Sequence, residues 1–195
     1  MKRTLSGMLA GALGLALLAG CSGTGTGGAT TSGGAAGGDT VKVGLLFELT
    51  GNVASYGTAE AAGAKMAAEE INAAGGVNGK KIQLVEYDTK SDTAETTTLS
   101  AKLMTQDKVV AIIGPATSGG MKAQIQLSAK NSVPIVSGSA TADDLTVSNG
   151  KLNEFIFRTC FTDSYQGTVM ANYAASKLNA KTAVVLKDTS SDYAK

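Results

Sequence analysis

Val41-Lys42-Val43-Gly44-Leu45-Leu46-Phe47 opens the folded pattern of this chain and decides its class. The run is apolar and carries β-branched residues, as suits a strand buried on both faces. Such a strand needs cover on each side, and the next residues supply the first helix. After a polar loop from Glu48 to Gly57, the stretch Thr58 to Ala74 carries Ala61, Ala64, Ala68 and Ile71 at helical spacing. It stops at Gly75-Gly76, where a terminating glycine belongs. Lys81 to Asp88 then alternates about Ile82, Leu84 and Val85 and reads as a second strand.

The alternation of strand and helix continues down the chain. Asp92-Thr93-Ala94-Glu95 has the form of a capping box and opens a helix to about Gln106. Val109 to Ile113 is a third strand, closed by Gly114-Pro115, and Ser118 begins a helix through Ile125 and Leu127 to about Lys130. Val133-Pro134-Ile135-Val136 is a short fourth strand whose proline lies near its start, where a missing N–H is tolerated. A polar stretch with a short helical turn leads to a fifth strand, Phe155 to Thr159. A helix from Asp163 to Leu178 follows, with Asp163 and Gln166 spaced as a capping box, and then a sixth strand, Thr182 to Leu186. Strands alternating with helices predict an α/β fold: a parallel sheet with helices on both faces.

Upstream of this pattern the chain has a different character. Lys2 and Arg3 precede an apolar, small-residue run from Leu5 to Ala19, shorter than a membrane span requires. The run ends in Leu17-Leu18-Ala19-Gly20-Cys21, which resembles the lipobox of bacterial lipoproteins. That resemblance implies a signal peptide over residues 1–20 and a lipid on Cys21, with the mature protein held at the outer side of the membrane. Residues 21–38 are nearly all Gly, Ser, Thr and Ala, a composition with nothing to bury, and a flexible tether is expected there.

Composition excludes several chemistries. The chain has no histidine, so it contains neither a Cys-His pair nor a Ser-His-Asp triad. With Cys21 assigned to the anchor, Cys160 stands alone and reads as a structural residue on a strand. The formal net charge is +1, with no basic patch interleaved with aromatics, and no nucleic-acid partner is expected. The first strand lacks the Gly-x-Gly-x-x-Gly of a dinucleotide site, and Gly119 is followed by Gly120 rather than the lysine of a phosphate loop. No cofactor and no metal is expected, and the reading is of a protein that is not an enzyme.

Ligands of open parallel sheets bind beyond the carboxyl ends of the strands. Gly114-Pro115-Ala116-Thr117-Ser118-Gly119-Gly120 is small and Gly-rich and runs into a helix, whose free N–H groups and dipole favour an anion. Taken alone, Ser118 is as readily an N-cap. The loop Ser137-Gly138-Ser139-Ala140-Thr141 lies at a neighbouring strand end and adds hydroxyl and N–H groups. The two together suit a carboxylate better than a sugar, and there is no tryptophan to stack on a sugar ring. Asp143-Asp144 reads as a solvated pair rather than as paired acids.

Val41-Lys42-Val43-Gly44-Leu45, Leu49-Thr50-Gly51 and Ala54-Ser55-Tyr56-Gly57 resemble the opening of the leucine/isoleucine/valine-binding proteins. So do Glu70-Ile71-Asn72-Ala73-Ala74-Gly75-Gly76-Val77-Asn78-Gly79-Lys80-Lys81-Ile82, Tyr87-Asp88, Ile112-Ile113-Gly114-Pro115, Ser139-Ala140-Thr141 and Phe157-Arg158-Thr159, in order. The resemblance covers nearly the whole folded stretch. It implies the type I periplasmic-binding-protein fold, in which two α/β lobes close on a ligand, and a partner permease of an ABC importer. Lobe one would span 39–159 and the start of a truncated lobe two 160–195, with the remainder beyond Lys195.

The same resemblance implies the site. Ser118 matches the serine that holds an amino acid's α-carboxylate, and Thr141 a threonine at the amino-acid head. Ser139 and Ala140 match positions that receive the α-ammonium on their backbone or line the pocket. Ala116 and Thr117 match the loop before the serine, Tyr56 an aromatic wall, and Tyr193 a lobe-two tyrosine facing the cleft. An acidic partner for the ammonium is expected beyond Lys195. Two departures stand out. Ser91 and Thr117 occupy positions that carry a disulfide in some members. Glu48 replaces a small or apolar residue, and a carboxylate near the pocket would favour a cationic or amide-bearing ligand. Relatives of this fold bind branched-chain, aliphatic or polar amino acids, amides and urea; others serve as ligand-sensing ectodomains. A secreted α/β hydrolase would need a Gly-x-Ser-x-Gly elbow, which is absent here.

Overall fold

The computed structural model describes residues 40–194. The expected leader, the lipidated Cys21 and the tether fall outside the described residues. Within them, β1 (Thr40–Phe47), α1 (Ala54–Ala73), β2 (Lys81–Asp88), α2 (Thr93–Lys102), β3 (Ala111–Ile113), α3 (Ser118–Asn131) and β4 (Ile135–Ser137) follow in turn. A two-residue hairpin comes next, β5 (Val147–Ser148) with β6 (Lys151–Leu152), then β7 (Ile156–Arg158) and α4 (Asp163–Ser176).

The main sheet has the order β2-β1-β3-β4-β7, every pair parallel. Side chains of a strand point alternately to its two faces, and β1 shows the consequence. Leu45 and Phe47 pack with Ala61 and Ala116, against the partly buried Ala64 and Ile113. Leu46 packs on the opposite side with Leu103, Ile112, Met121 and Ile135. So α1 covers one face and α2 with α3 the other, as the sequence predicts. The register needs glycine at Gly114, where φ is +98° and a β-carbon would lie 2.2 Å from the Leu46 carbonyl oxygen.

Five elements differ from expectation. α1 starts at Ala54 rather than Thr58, so Tyr56 and Gly57 belong to the helix and not to the loop. The helix read to Gln106 is α-helical only to Lys102; Leu103–Asp107 form a π turn, closed by Lys108 in a left-handed conformation at φ 59°. The apolar period runs through this turn without a break, so Leu103 and Met104 still reach the core. The hairpin turns on Asn149-Gly150, both at positive φ, the sequence signal of a tight two-residue turn. Asp163 does not cap α4: the cap is Thr162, whose hydroxyl accepts the N–H of Tyr165 at 3.4 Å. Thr182 to Leu186 is not a strand, and Val184 and Leu186 are 98% and 100% exposed. Its composition suits a strand, but no neighbouring strand among the described residues offers it hydrogen bonds, and pairing is what makes a strand.

Candidate functional site

The strand order reverses beside β1: the chain passes from β1 to β2 on one side and then to β3 on the other. Loops leaving β1 and β3 therefore diverge, and the crevice between them is where an open α/β sheet takes its ligand. A cleft of about 630 Å³ lies there. Asn52, Val53 and Tyr56 line it from the side of β1 and α1, Ala116 to Gly120 from the start of α3, and Thr141 from the loop after β4. Phe161, Gln166 and the Asp188–Tyr193 segment close the remaining side.

The start of α3 is built by its neighbours. Thr117 is the N-cap, its hydroxyl accepting the Gly120 N–H at 3.3 Å. Ser118 is thus the first residue of the helix and does not cap it. Its Oγ accepts the Ala142 N–H at 3.1 Å, which leaves its proton to donate. The N–H groups of Ser118 and Gly119 belong to the first turn, where a helix has no internal acceptor for them. Beside them, the Thr141 hydroxyl is buried without a partner, on a residue only 6% exposed. Two hydroxyl groups and two N–H groups at the positive end of a helix make a wall of donors, which suits an anion; the carboxylates of Asp188 and Asp192 line the facing side of the same cleft, with Asp192 Oδ2 close to Gly119.

Tyr56 and Tyr193 also line the cleft, both more than half exposed, and the Tyr193 hydroxyl donates to Gln166 Oε1 at 3.4 Å. Ser139 and Ala140 are not brought to the cleft wall. The Ser139 hydroxyl is held by the Glu60 carboxylate and the Ala116 carbonyl. Ala140 is fully buried, its N–H donating to Ser137 Oγ at 3.1 Å and its carbonyl accepting from Arg158 and Cys160. The turn faces inward because Ser137 and Glu60 claim its polar groups.

Glu48 departs furthest from its sequence reading. It is 2% exposed and lies behind the cleft wall, not on it. Its Oε2 accepts the Ala116 N–H at 2.9 Å, and its Oε1 accepts the Thr117 N–H at 3.2 Å and the Thr117 hydroxyl at 2.6 Å. The carboxylate is a brace for the loop that leads into α3. Ser91 is likewise engaged, donating to the Thr50 carbonyl at 2.8 Å and accepting the Val53 N–H at 3.3 Å. The partners of these residues are distant in sequence, so no local pattern announced them.

Around the site, Arg158 donates to the Ala142 carbonyl at 2.7 Å and steadies the Thr141 loop. Asp143 and Asp144 turn apart. Asp143 accepts from the Ser164 hydroxyl and N–H, which hold its carboxyl below the ordinary value, while Asp144 pairs with Lys122 at 2.9 Å. Cys160 lies past the end of β7 rather than on a strand, because the pairing with β4 stops at Arg158. Partial burial pushes its thiol pKa up, against the pull of the Arg158 charge. Among the described residues no group of His, Cys, Asp and Glu is placed to hold a metal ion.

A parallel α/β sheet with a crevice at its switch point places this chain among the open α/β folds that take a ligand there. The family model of the periplasmic binding proteins matches residues 40–194, and the chain belongs to that family. The Leucine-, isoleucine-, valine-, threonine-, and alanine-binding protein of Pseudomonas aeruginosa is 37% identical over 150 residues, covering 77% of this chain and 39% of that protein. The branched-chain amino acid transporter substrate binding protein LivJ of Streptococcus pneumoniae, solved with isoleucine, superposes with a TM-score of 0.75 at 48% identity. That match covers 80% of this chain and 44% of the other. A solute binding protein of an ABC transporter from Rhodopseudomonas palustris, solved with 3,4-dihydroxy benzoic acid, gives 0.63 at 29% identity, covering 71% and 36%. The architecture is the type I periplasmic-binding-protein fold, and this chain spans about two fifths of the length of these relatives.

Proposed function

We propose that the chain forms lobe one, and the start of lobe two, of an extracytoplasmic solute-binding lipoprotein. The protein captures an amino acid, branched-chain or closely related, and delivers it to an ABC permease without altering it. Lobe one spans 39–159 and lobe two begins over 160–195; a lipid on Cys21 holds the protein to the membrane. The ligand's α-carboxylate meets Ser118, the N–H groups of Ser118 and Gly119, and Thr141. Tyr56 and Tyr193 flank it, Ala116 and Thr117 shape the floor, and Ser139 and Ala140 back the Thr141 loop. Lobe two supplies an acidic partner for the ammonium and closes about the hinge. Burying a zwitterion requires both of its charges to be paired.

The observation that carries this reading is the Thr141 hydroxyl, buried without a partner on a residue that lines the cleft together with the first turn of α3. Buried polar groups are rarely left unpaired unless something else completes them. The names of the relatives support the amino acid as the class. A plain aromatic carboxylate is the second reading, because the Rhodopseudomonas palustris protein of this fold was solved with one. The test is a thermal-shift and calorimetric screen of the full-length protein against the common amino acids, 4-hydroxybenzoate, amides and urea. Stabilisation by leucine, isoleucine or valine is expected. Binding of benzoates or amides alone would refute the amino-acid reading, and turnover of any compound would refute a carrier.

A further inference from the structure

Glu48 sits directly behind the donor wall, and the reading above gives it no part in ligand choice. Each of its three contacts is a donor: the Ala116 N–H, the Thr117 N–H and the Thr117 hydroxyl. The Thr117 oxygen already accepts the Gly120 N–H, so its proton is directed to Glu48. Such a pattern is the one an ionised carboxylate makes. The chain therefore keeps a negative charge almost fully buried at the positive end of α3.

We infer that Glu48 is a specificity-determining residue: its buried charge discriminates against a lone carboxylate in the cleft and in favour of a zwitterion. The inference rests on the amino-acid reading of the site. Ser118 adjoins Thr117, whose N–H and hydroxyl Glu48 holds, so a carboxylate at Ser118 and Thr141 would meet the Glu48 charge through the protein wall, where repulsion is weakly screened, in addition to the carboxylates of Asp188 and Asp192 that line the cleft itself. An ammonium one carbon away offsets that repulsion. A ligand with no ammonium feels it in full. Glu48 touches no ligand and acts through field and position.

The test compares two probes with the same side chain, L-leucine and 4-methylpentanoate, on the full-length wild type and on Glu48→Gln, by calorimetry with competition. Loss of a brace alone weakens both probes alike and leaves their affinity ratio where it was. Loss of the charge shifts that ratio toward 4-methylpentanoate by about tenfold, and this is the expected result. An unchanged ratio in a variant that binds leucine overturns the inference and leaves the amino-acid reading standing. A wild type that binds neither probe overturns both. If Glu48→Gln does not fold, the wild-type ratio decides: 4-methylpentanoate bound as tightly as L-leucine overturns the inference.

Discussion

The Ser118 Oγ accepts the N–H of Ala142 at 3.1 Å. This one bond ties the first turn of α3 to the loop after β4, and so sets Thr141 beside the N-terminus of the helix. Serine can do this and still serve a ligand, because its oxygen is used as an acceptor and its proton remains.

Ser118→Ala removes both functions. The Ala142 N–H loses its acceptor inside the fold, and the ligand carboxylate loses a donor. Affinity of the full-length protein for its amino acid is expected to fall by about 1–3 kcal/mol. The melting temperature of the unliganded protein should fall as well. Calorimetry showing unchanged affinity would remove Ser118 from the site.

Thr141→Val separates binding from stability. The hydroxyl has no partner in the protein, so replacing it with a methyl of similar shape removes an unpaired buried group at little cost. The unliganded melting temperature should hold or rise, while affinity drops by about 1–3 kcal/mol. A lower melting temperature with intact binding would show that the hydroxyl serves the fold instead.

Asp88 predicts the acid limb of stability. Burial works to raise its carboxyl pKa. Hydrogen bonds from the Thr50 hydroxyl and from the N–H groups of Lys90, Thr50 and Leu49 outweigh this and hold it below the ordinary 3.8. A carboxyl depressed by folding stabilises the protein above its unfolded pKa, and that contribution is lost as pH falls through the folded value. Melting curves of wild type and Asp88→Asn should therefore run parallel above about pH 5 and converge below about pH 4. Parallel curves throughout would contradict the assignment.

The stretch from β1 to α2 was legible because its signals are local. The β1 run, the alanine spacing of α1 and the capping of α2 by Asp92, whose carboxylate accepts the Glu95 N–H at 2.7 Å, each work within a few residues. Thr182 to Leu186 has strand composition too, but a strand exists only through its neighbours. The π turn at Leu103–Asp107 leaves the apolar period unbroken, so periodicity does not register it. The same division runs through the site. That the loops carrying Ser118 and Thr141 line the cleft follows from the rule that ligands meet the carboxyl ends of parallel strands. The placement of Ser139 and Glu48 does not, because the faces they present are decided by Glu60, Ala116 and Thr117, more than twenty residues away in each case.

The most direct measurement is a crystal structure of the full-length protein with its amino acid bound. The ligand carboxylate is expected within hydrogen-bond distance, about 2.6–3.2 Å, of the Ser118 hydroxyl, the Gly119 N–H and the Thr141 hydroxyl. A ligand whose side chain or ammonium occupies that corner, with its carboxylate elsewhere, would contradict this placement.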